Sequence, residues 1–369
     1  MLYKHGIDCI DKADAILSGK KLGLITNYTG LNSKFERSVD IINARYNLIK
    51  LFAPEHGLYG INQAGDEIEN IIDEKSGLPV LSMFKEGSSM DISGLDTVVY
   101  DIQDIGLRFF THISILAQAM QECAKAGVSF VVLDRYNPLG LNRLSGTVLE
   151  KAFSSIVGTY EIPSQYGLTV GEYARYINTE ENIGCSLEVI TCDGLSRSDD
   201  FSSLNVEWII PSPNCPTIDT ARAYIGTVVF EGTNVSEGRG TTRPFELIGA
   251  PWIDDYKLAE QMNGKNLSGV VFRPTRFMPT FSKYKGECCR GVQIHITDHK
   301  KFDSFYCGMA LLDTIRNEYS EFKSTEFLSK LLGTDEFTSP DFNLDSFILK
   351  HRKKTEAFVR KAQRFHLYE

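Results

Sequence analysis

The chain has 369 residues, 42% of them hydrophobic, and 48 acidic against 39 basic side chains give a net charge of −9. That length supports a sizeable core and suggests two domains, while the acidic balance argues against nucleic acid as a partner, because phosphate binding needs a basic face. No apolar run approaches the roughly 20 residues of a membrane span, so no membrane role is expected. Asp8, Asp11 and Asp14 stand where a signal peptide would need an apolar stretch. The chain as written therefore reads as cytoplasmic, although a mature exported sequence given a new Met would look the same. The eight cysteines form no C-x-x-C pair and read as small core hydrophobes.

In chain order, strands are predicted at Lys21–Asn27, Leu48–Ala53, Leu78–Met83, Thr97–Ile102 and Val128–Asp134. Helical spacing marks Ser38–Tyr46 and Arg108–Ala126, with Gly127 as a stop. Near-continuous apolar strands alternating with helices indicate a parallel sheet covered on both faces. In such sheets ligands lie beyond the carboxyl ends of the strands. No G-x-G-x-x-G follows the first strand, so the layout is Rossmann-like without a dinucleotide fingerprint. Thr169 to Glu172 reads as a capping box, Cys185–Cys192 as a strand, and Pro211–Thr217 as an extended junction. Beyond it, the alternating strand Gly291–Thr297 and a mostly helical tail from Phe302 describe a smaller α+β domain. The expected division is 1–224 and 225–369.

The strand ends collect the polar chemistry. Glu55 follows Pro54 at the end of an apolar strand, a setting suited to a general acid, although it could equally cap a helix beginning near Gly57. His56 could orient it or bind sugar hydroxyls. Asp101, Gln103 and Asp104 crowd another strand end and could bind hydroxyls or position a water. Asp134 and Asn137 suit Asx-type turns, with Asn137 also a candidate ligand contact. Arg108, read as opening a helix, would oppose the dipole there and so suggests a bound anion or a carboxylate partner. Glu55, His56, Asp101, Asp104 and Asp134 could together make a mixed oxygen and imidazole metal site, but no fixed ligand spacing supports one. No G-x-S-x-G elbow points to a serine nucleophile.

The densest cluster is FEGTNVSEGRGTTRPFE, Phe230 to Glu246, between two apolar runs. It carries Glu231, Glu237 and Glu246, the guanidinium groups of Arg239 and Arg243, the amide of Asn234, and three glycines. Arginine offers a planar fork for carboxylate or phosphate, and glycine permits close backbone approach. A polar loop held between core elements is where binding and catalytic residues concentrate, although a structural ion-pair corner would have the same composition.

GLITNYTG (23–30), FAPEHGLYG (52–60), YDIQDIGLRFF (100–110), VVLDRYNPLG (131–140), PSPNCPT (211–217) and FEGTNVSEGRGTTRPFELIGAPWID (230–254) together resemble the NamZ/YbbC family of bacterial exo-β-N-acetylmuramidases. The resemblance implies a Rossmann-like N-terminal domain, a smaller C-terminal domain and an active-site cleft between them. It implies release of N-acetylmuramic acid from the non-reducing end of peptidoglycan fragments, with no cofactor and no metal. Departures from the usual motifs include Tyr136, Leu141, Cys215, Tyr166 in place of a histidine and His112 in place of a tyrosine. On this reading Glu55 is the acid, and Asp101, Asp104, Glu231, Glu237 or the substrate's own acetamido oxygen is the second group. Arg239 or Arg243 would pair with the lactyl carboxylate, and His56, Gln103, Asn214 and Asn234 are further candidate contacts. The competing expectations are a non-catalytic muropeptide-binding protein and a metal-dependent hydrolase.

Overall fold

The structure is a computed structural model that describes residues 2–63, 65–83 and 90–369. Its main sheet contains β1 (Lys21–Thr26), β2 (Asn47–Ala53), β3 (Ile71–Ile72), β4 (Pro79–Ser82), β5 (Thr97–Asp101), β6 (Ser129–Leu133) and, after a separate hairpin of β7 (Ser145–Val148) and β8 (Pro163–Gln165), β9 (Leu187–Ile190). The spatial order is β3-β4-β2-β1-β5-β6-β9, with β3 antiparallel at one edge and all other pairings parallel. Counted over the parallel strands alone, this is the doubly wound order 3-2-1-4-5-6.

Alternation along the strands divides the core between two faces. Leu22, Leu24, Leu51 and Val99 pack on one side with Val39 and Ile42 of α2 (Ser38–Arg45), which follows the short α1 (Asp14–Leu17). Phe52, Val98, Tyr100 and Phe130 pack on the other side, against α3 (His112–Ala126) and α4 (Val170–Glu180). Gly127 closes α3 at φ 69°, and the Thr169–Glu172 capping box opens α4.

The second unit is built from α5 (Ile218–Thr227), β10 (Leu247–Ala250), α6 (Asp255–Gly264), β11 (Val270–Phe277), β12 (Cys289–Ile296), α7 (Ser304–Glu318), α8 (Glu326–Leu332) and α9 (Leu344–Ala362). Its antiparallel sheet has the order β10-β12-β11. A division at residue 224 falls inside α5, whose Ala221 and Ile225 both belong to the second core. That core also takes in Ile105, Leu107, Phe109 and Phe110 from the first unit, so apolar packing continues across the junction. In return, Phe358 and Ala362 of α9 complete the core under α3 and α4. Among the described residues no helix is long and apolar enough to cross a membrane.

Helix α5 carries the chain towards the polar cluster, and its position is set by α7. A Cβ on Gly308 would lie 2.0 Å from the carbonyl oxygen of Gly226 and 2.6 Å from its Cα, so the two helices touch backbone to backbone. Neither backbone can yield without moving its helix. Gly308→Ala should therefore destabilise the protein by about 2 kcal/mol or more, in the upper range for overpacking. Urea unfolding reads this as a lower midpoint, and an unchanged midpoint would contradict the crossing described.

Candidate active site

Glu55 lies in the turn after β2, partly buried. The backbone N–H of Gly65 donates to its Oε1 at 3.0 Å, and the Thr111 hydroxyl pairs with its Oε2 at 2.6 Å. Thr111 precedes α3 as its N-cap residue, yet its side chain caps nothing there and is directed to Glu55 instead. A hydroxyl can donate to a carboxylate or accept from a carboxylic acid, so this contact serves both protonation states. Sequence reading missed Thr111. Its one signal was a hydroxyl residue directly before a helical pattern, the usual mark of a cap.

His56 holds a φ of 72°, a backbone conformation uncommon for a side chain of this size. Its Nδ1 lies 2.9 Å from the carbonyl of Asn62 and its Nε2 lies 3.1 Å from the hydroxyl of Ser212. A carbonyl only accepts, so Nδ1 bears the proton and Nε2 accepts from Ser212. Burial lowers the His56 pKa, which keeps the ring neutral. Asn214 donates to the Gln63 side chain at 3.3 Å. The Pro211–Thr217 segment thus braces the loop that carries Glu55.

In the second unit, Glu231 lies in a short 3-10 turn, Val228–Gly232, that continues from α5. Its Oε1 accepts from Arg239 Nε at 3.2 Å and Nη2 at 2.6 Å, and its Oε2 has no hydrogen-bond partner among the described residues. Burial raises the Glu231 pKa, while Arg239 draws it back. Glu237 is buried, with Lys283 Nζ at 2.8 Å and Arg239 Nε at 3.7 Å. Arg239 stacks over the ring of Phe245 at 5.1 Å. Gly238 and Gly240 have φ of 80° and 81°, and a side chain at Gly240 would strike the Phe281 backbone at 2.6 Å. The glycines therefore serve the loop's own close packing.

Several sequence-expected residues stand elsewhere. Asp101 is fully buried and held by Arg135, with Nε to Oδ1 at 2.6 Å and Nη2 to Oδ2 at 2.9 Å, and by the Ser38 hydroxyl. Both its oxygens are engaged, so its place is structural. Asp104 bonds the N–H of Gly106 at 2.6 Å and the Tyr166 hydroxyl, and burial pushes it up to about 6. Gln103 donates to the carbonyls of Asp104 and Tyr136 at 2.7 and 2.9 Å. Asn137 spans Leu139 N and Leu168 O, as an Asx-type turn would, and Asn234 spans Lys323 N and Glu321 O.

Arg108 differs most from expectation. It precedes α3 rather than opening it, and among the described residues its guanidinium meets no carboxylate. Nη1 donates to the carbonyls of Thr147 and Ile162 at 2.9 and 3.2 Å, and Nη2 to Leu331 at 2.8 Å, at the C-terminal end of α8. Burial pushes its pKa down to about 9. Carbonyl dipoles and a helix C-terminus replace the anion that the sequence suggested. Arg243 is half exposed and pairs with Glu246 at 3.2 Å.

Asp101 and Asp134, two members of the suggested metal set, are each engaged by protein donors, Asp101 by the Arg135 guanidinium and Asp134 by the Arg135 N–H, Thr169, Gly171 and Tyr368. Among the described residues no group of three or more His, Cys, Asp or Glu side chains is arranged to hold a metal ion. A cavity of about 220 Å³ opens beyond the ends of β1, β5 and β6, lined in part by His5, Thr29, Gln103 and Arg135. Neither Glu55 nor Glu231 lines it, and its arginine is already paired with Asp101.

Residues 22–219 match the family model described as exo-β-N-acetylmuramidase NamZ, N-terminal, and residues 222–368 match the C-terminal model of the same description. The chain belongs to the NamZ family. It is 41% identical over 363 residues to the peptidoglycan β-N-acetylmuramidase NamZ of Bacillus subtilis (strain 168), covering 95% of this chain and 88% of that protein. Two solved structures of DUF1343 family proteins from Bacteroides fragilis NCTC 9343 share the fold. One has a TM-score of 0.88 at 32% identity and the other 0.79 at 27%, each covering 100% of this chain and 99% of its own.

Beside the NamZ motifs, His112 stands out as a buried ring next to Phe110, pushed down to about 3 by burial and by His56. Its ordinary value is 6.5. As pH falls from about 6.5 towards 3, the unfolded chain gains a proton that the folded one refuses, so stability declines. His56 acts in the same direction. His112→Tyr, which introduces the residue that the resemblance leads one to expect here, should therefore lose less melting temperature between pH 7.5 and pH 5 than the parent protein. Equal losses would remove His112 as a source of acid sensitivity.

Proposed function

We propose that this protein is an exo-acting glycoside hydrolase that releases N-acetylmuramic acid from the non-reducing end of peptidoglycan fragments. Kinship over nearly the whole chain with the B. subtilis peptidoglycan β-N-acetylmuramidase supports the reaction class. The observation that carries the residue assignment is the Glu55 carboxyl, held by Thr111 and Gly65 at a strand end, next to a buried neutral histidine. Cleavage of a glycosidic bond needs a proton delivered to the leaving oxygen, and Glu55 is the group we assign to deliver it. Water completes the turnover and no cofactor enters.

Glu231 is the second group on this reading. Its Oε1 is fixed by Arg239 while Oε2 stays free, so one oxygen is oriented and the other faces the substrate. Glu237 is enclosed by Lys283 and Arg239 and is better suited to holding that arginine than to chemistry. The lactyl carboxylate of N-acetylmuramic acid is an anion, and two guanidinium groups retain free donors for it. These are Nη1 of Arg239 and the half-exposed Arg243, and either would supply the charge-assisted pairing that distinguishes this sugar from N-acetylglucosamine.

The test uses a chromogenic β-N-acetylmuramide and the matching β-N-acetylglucosaminide. The protein should cleave the first and leave the second, and Glu55→Gln should lower turnover of the first by about a thousandfold or more with the melting temperature retained. Full activity in Glu55→Gln would refute the acid assignment. Ligand-induced thermal stabilisation without turnover over hours would favour a binding protein instead.

A further inference from the structure

Tyr224 was not among the residues the sequence singled out, and it now stands out by what it lacks. Among the described residues its hydroxyl has no hydrogen-bond partner. A phenol enclosed in protein usually finds one, and several core tyrosines of this chain do so, although the buried hydroxyl of Tyr28 does not. Tyr100 donates to a backbone carbonyl, Tyr166 to Asp104, and Tyr368 to Asp134. Tyr224 is only partly buried, so its hydroxyl is neither sealed in the core nor paired.

Its position is fixed from both sides of the cleft. The ring stacks at a tilt on Phe245 at 4.2 Å, and Phe245 also carries the guanidinium of Arg239, which grips Glu231. From the other side it meets the edge of Phe109 at 5.7 Å, two residues before the Thr111 that bonds Glu55. Phe245 holds a φ of 63° to keep this place, a strained backbone that persists only where its surroundings demand it. Tyr224 is therefore held by ring contacts to the residue that carries Arg239 and to the segment that leads to Thr111, within electrostatic reach of both Glu231 and Glu55. Burial raises its pKa well above the ordinary value, negative charge at Glu231 raises it further, and charge at Glu55 acts in the same sense. The phenol is thus a proton-bearing donor near neutral pH and not a base.

We infer that Tyr224 is a further catalytic residue, whose hydroxyl donates a hydrogen bond to an oxygen of the sugar held between Glu55 and Glu231 as the glycosidic bond breaks. The inference rests on the glycosidase reading above. The hydroxyl makes this bond without proton transfer, so the proton of Glu55 still goes to the leaving oxygen and water supplies the group added at the anomeric carbon. A pre-placed donor with no partner to give up costs no reorganisation when charge shifts during reaction.

Tyr224→Phe keeps the ring stack and removes only the hydroxyl. On the chromogenic β-N-acetylmuramide, kcat should fall about 10- to 100-fold, the range expected for one hydrogen bond to a group gaining charge. KM, the melting temperature and the affinity for free N-acetylmuramic acid by calorimetry should stay within about twofold or a few degrees. The pH profile should keep both limbs, because the phenol moves no proton. An unchanged kcat overturns the proposal, as does a rise in KM alone or a loss of melting temperature large enough to account for the lost activity. If the parent protein fails to cleave the β-N-acetylmuramide, the glycosidase reading fails first and this inference with it. Cleavage by parent and variant alike sinks the inference alone.

Discussion

The cleft is organised by a balance of buried charge around Arg239. Its guanidinium lies between Glu231 and Glu237, and Lys283 supplies a second cation to Glu237. Two carboxylates and two cations enclosed together can be tolerated where any one alone would not, because each offsets the desolvation of its neighbours. The arrangement fixes Arg239 Nε and Nη2 and through them one oxygen of Glu231. It also sets the guanidinium over the ring of Phe245. Positions on this wall of the cleft thus follow from charge pairing, while the opposite wall relies on neutral donors, a threonine hydroxyl and a backbone amide.

Much of the architecture could be read from the chain. Strands such as β5 and β6 are so uniformly apolar that only a sheet covered on both faces could hold them, and the doubly wound order follows from their alternation with helices. Local chemistry was also legible where it is short in range, as with the Thr169–Glu172 capping box and the glycine after α3. Pairings over long separations were not. Asp101 reads as an available carboxylate until Arg135 arrives from the next strand, and Arg108 reads as an anion seeker until carbonyls from β7 and α8 surround it. A sequence shows a charge but not what distant backbone will neutralise it. Thr111 and Tyr224 were hidden for a similar reason, since hydroxyls and rings are common in caps and cores and differ here only in their neighbours.

The two halves contribute different kinds of precision. The sheet brings Glu55 and its supports from β2 and the start of α3, elements locked by parallel pairing and by packing on both faces. The second unit brings Glu231 and Tyr224 on α5 and its continuation, whose placement depends on the contact between Gly226 and Gly308. A site shared in this way, as proposed, needs the halves to hold a constant separation. The apolar core that passes from Phe109 and Phe110 into α5 and α7 supplies that constancy.

Arg108 adds a second fastening between the halves, and its chemistry has a consequence for environment. Several ion pairs among the described residues, such as Lys12 with Asp193 and Lys75 with Asp40, lie near water, where dissolved ions weaken them within about a nanometre. Arg108 is joined to Thr147, Ile162 and Leu331 through carbonyl dipoles and is fully buried, out of reach of mobile ions. Its grip should thus be nearly indifferent to ionic strength. A protein built this way can hold its halves in register in dilute or saline surroundings alike, whichever of them its natural setting provides.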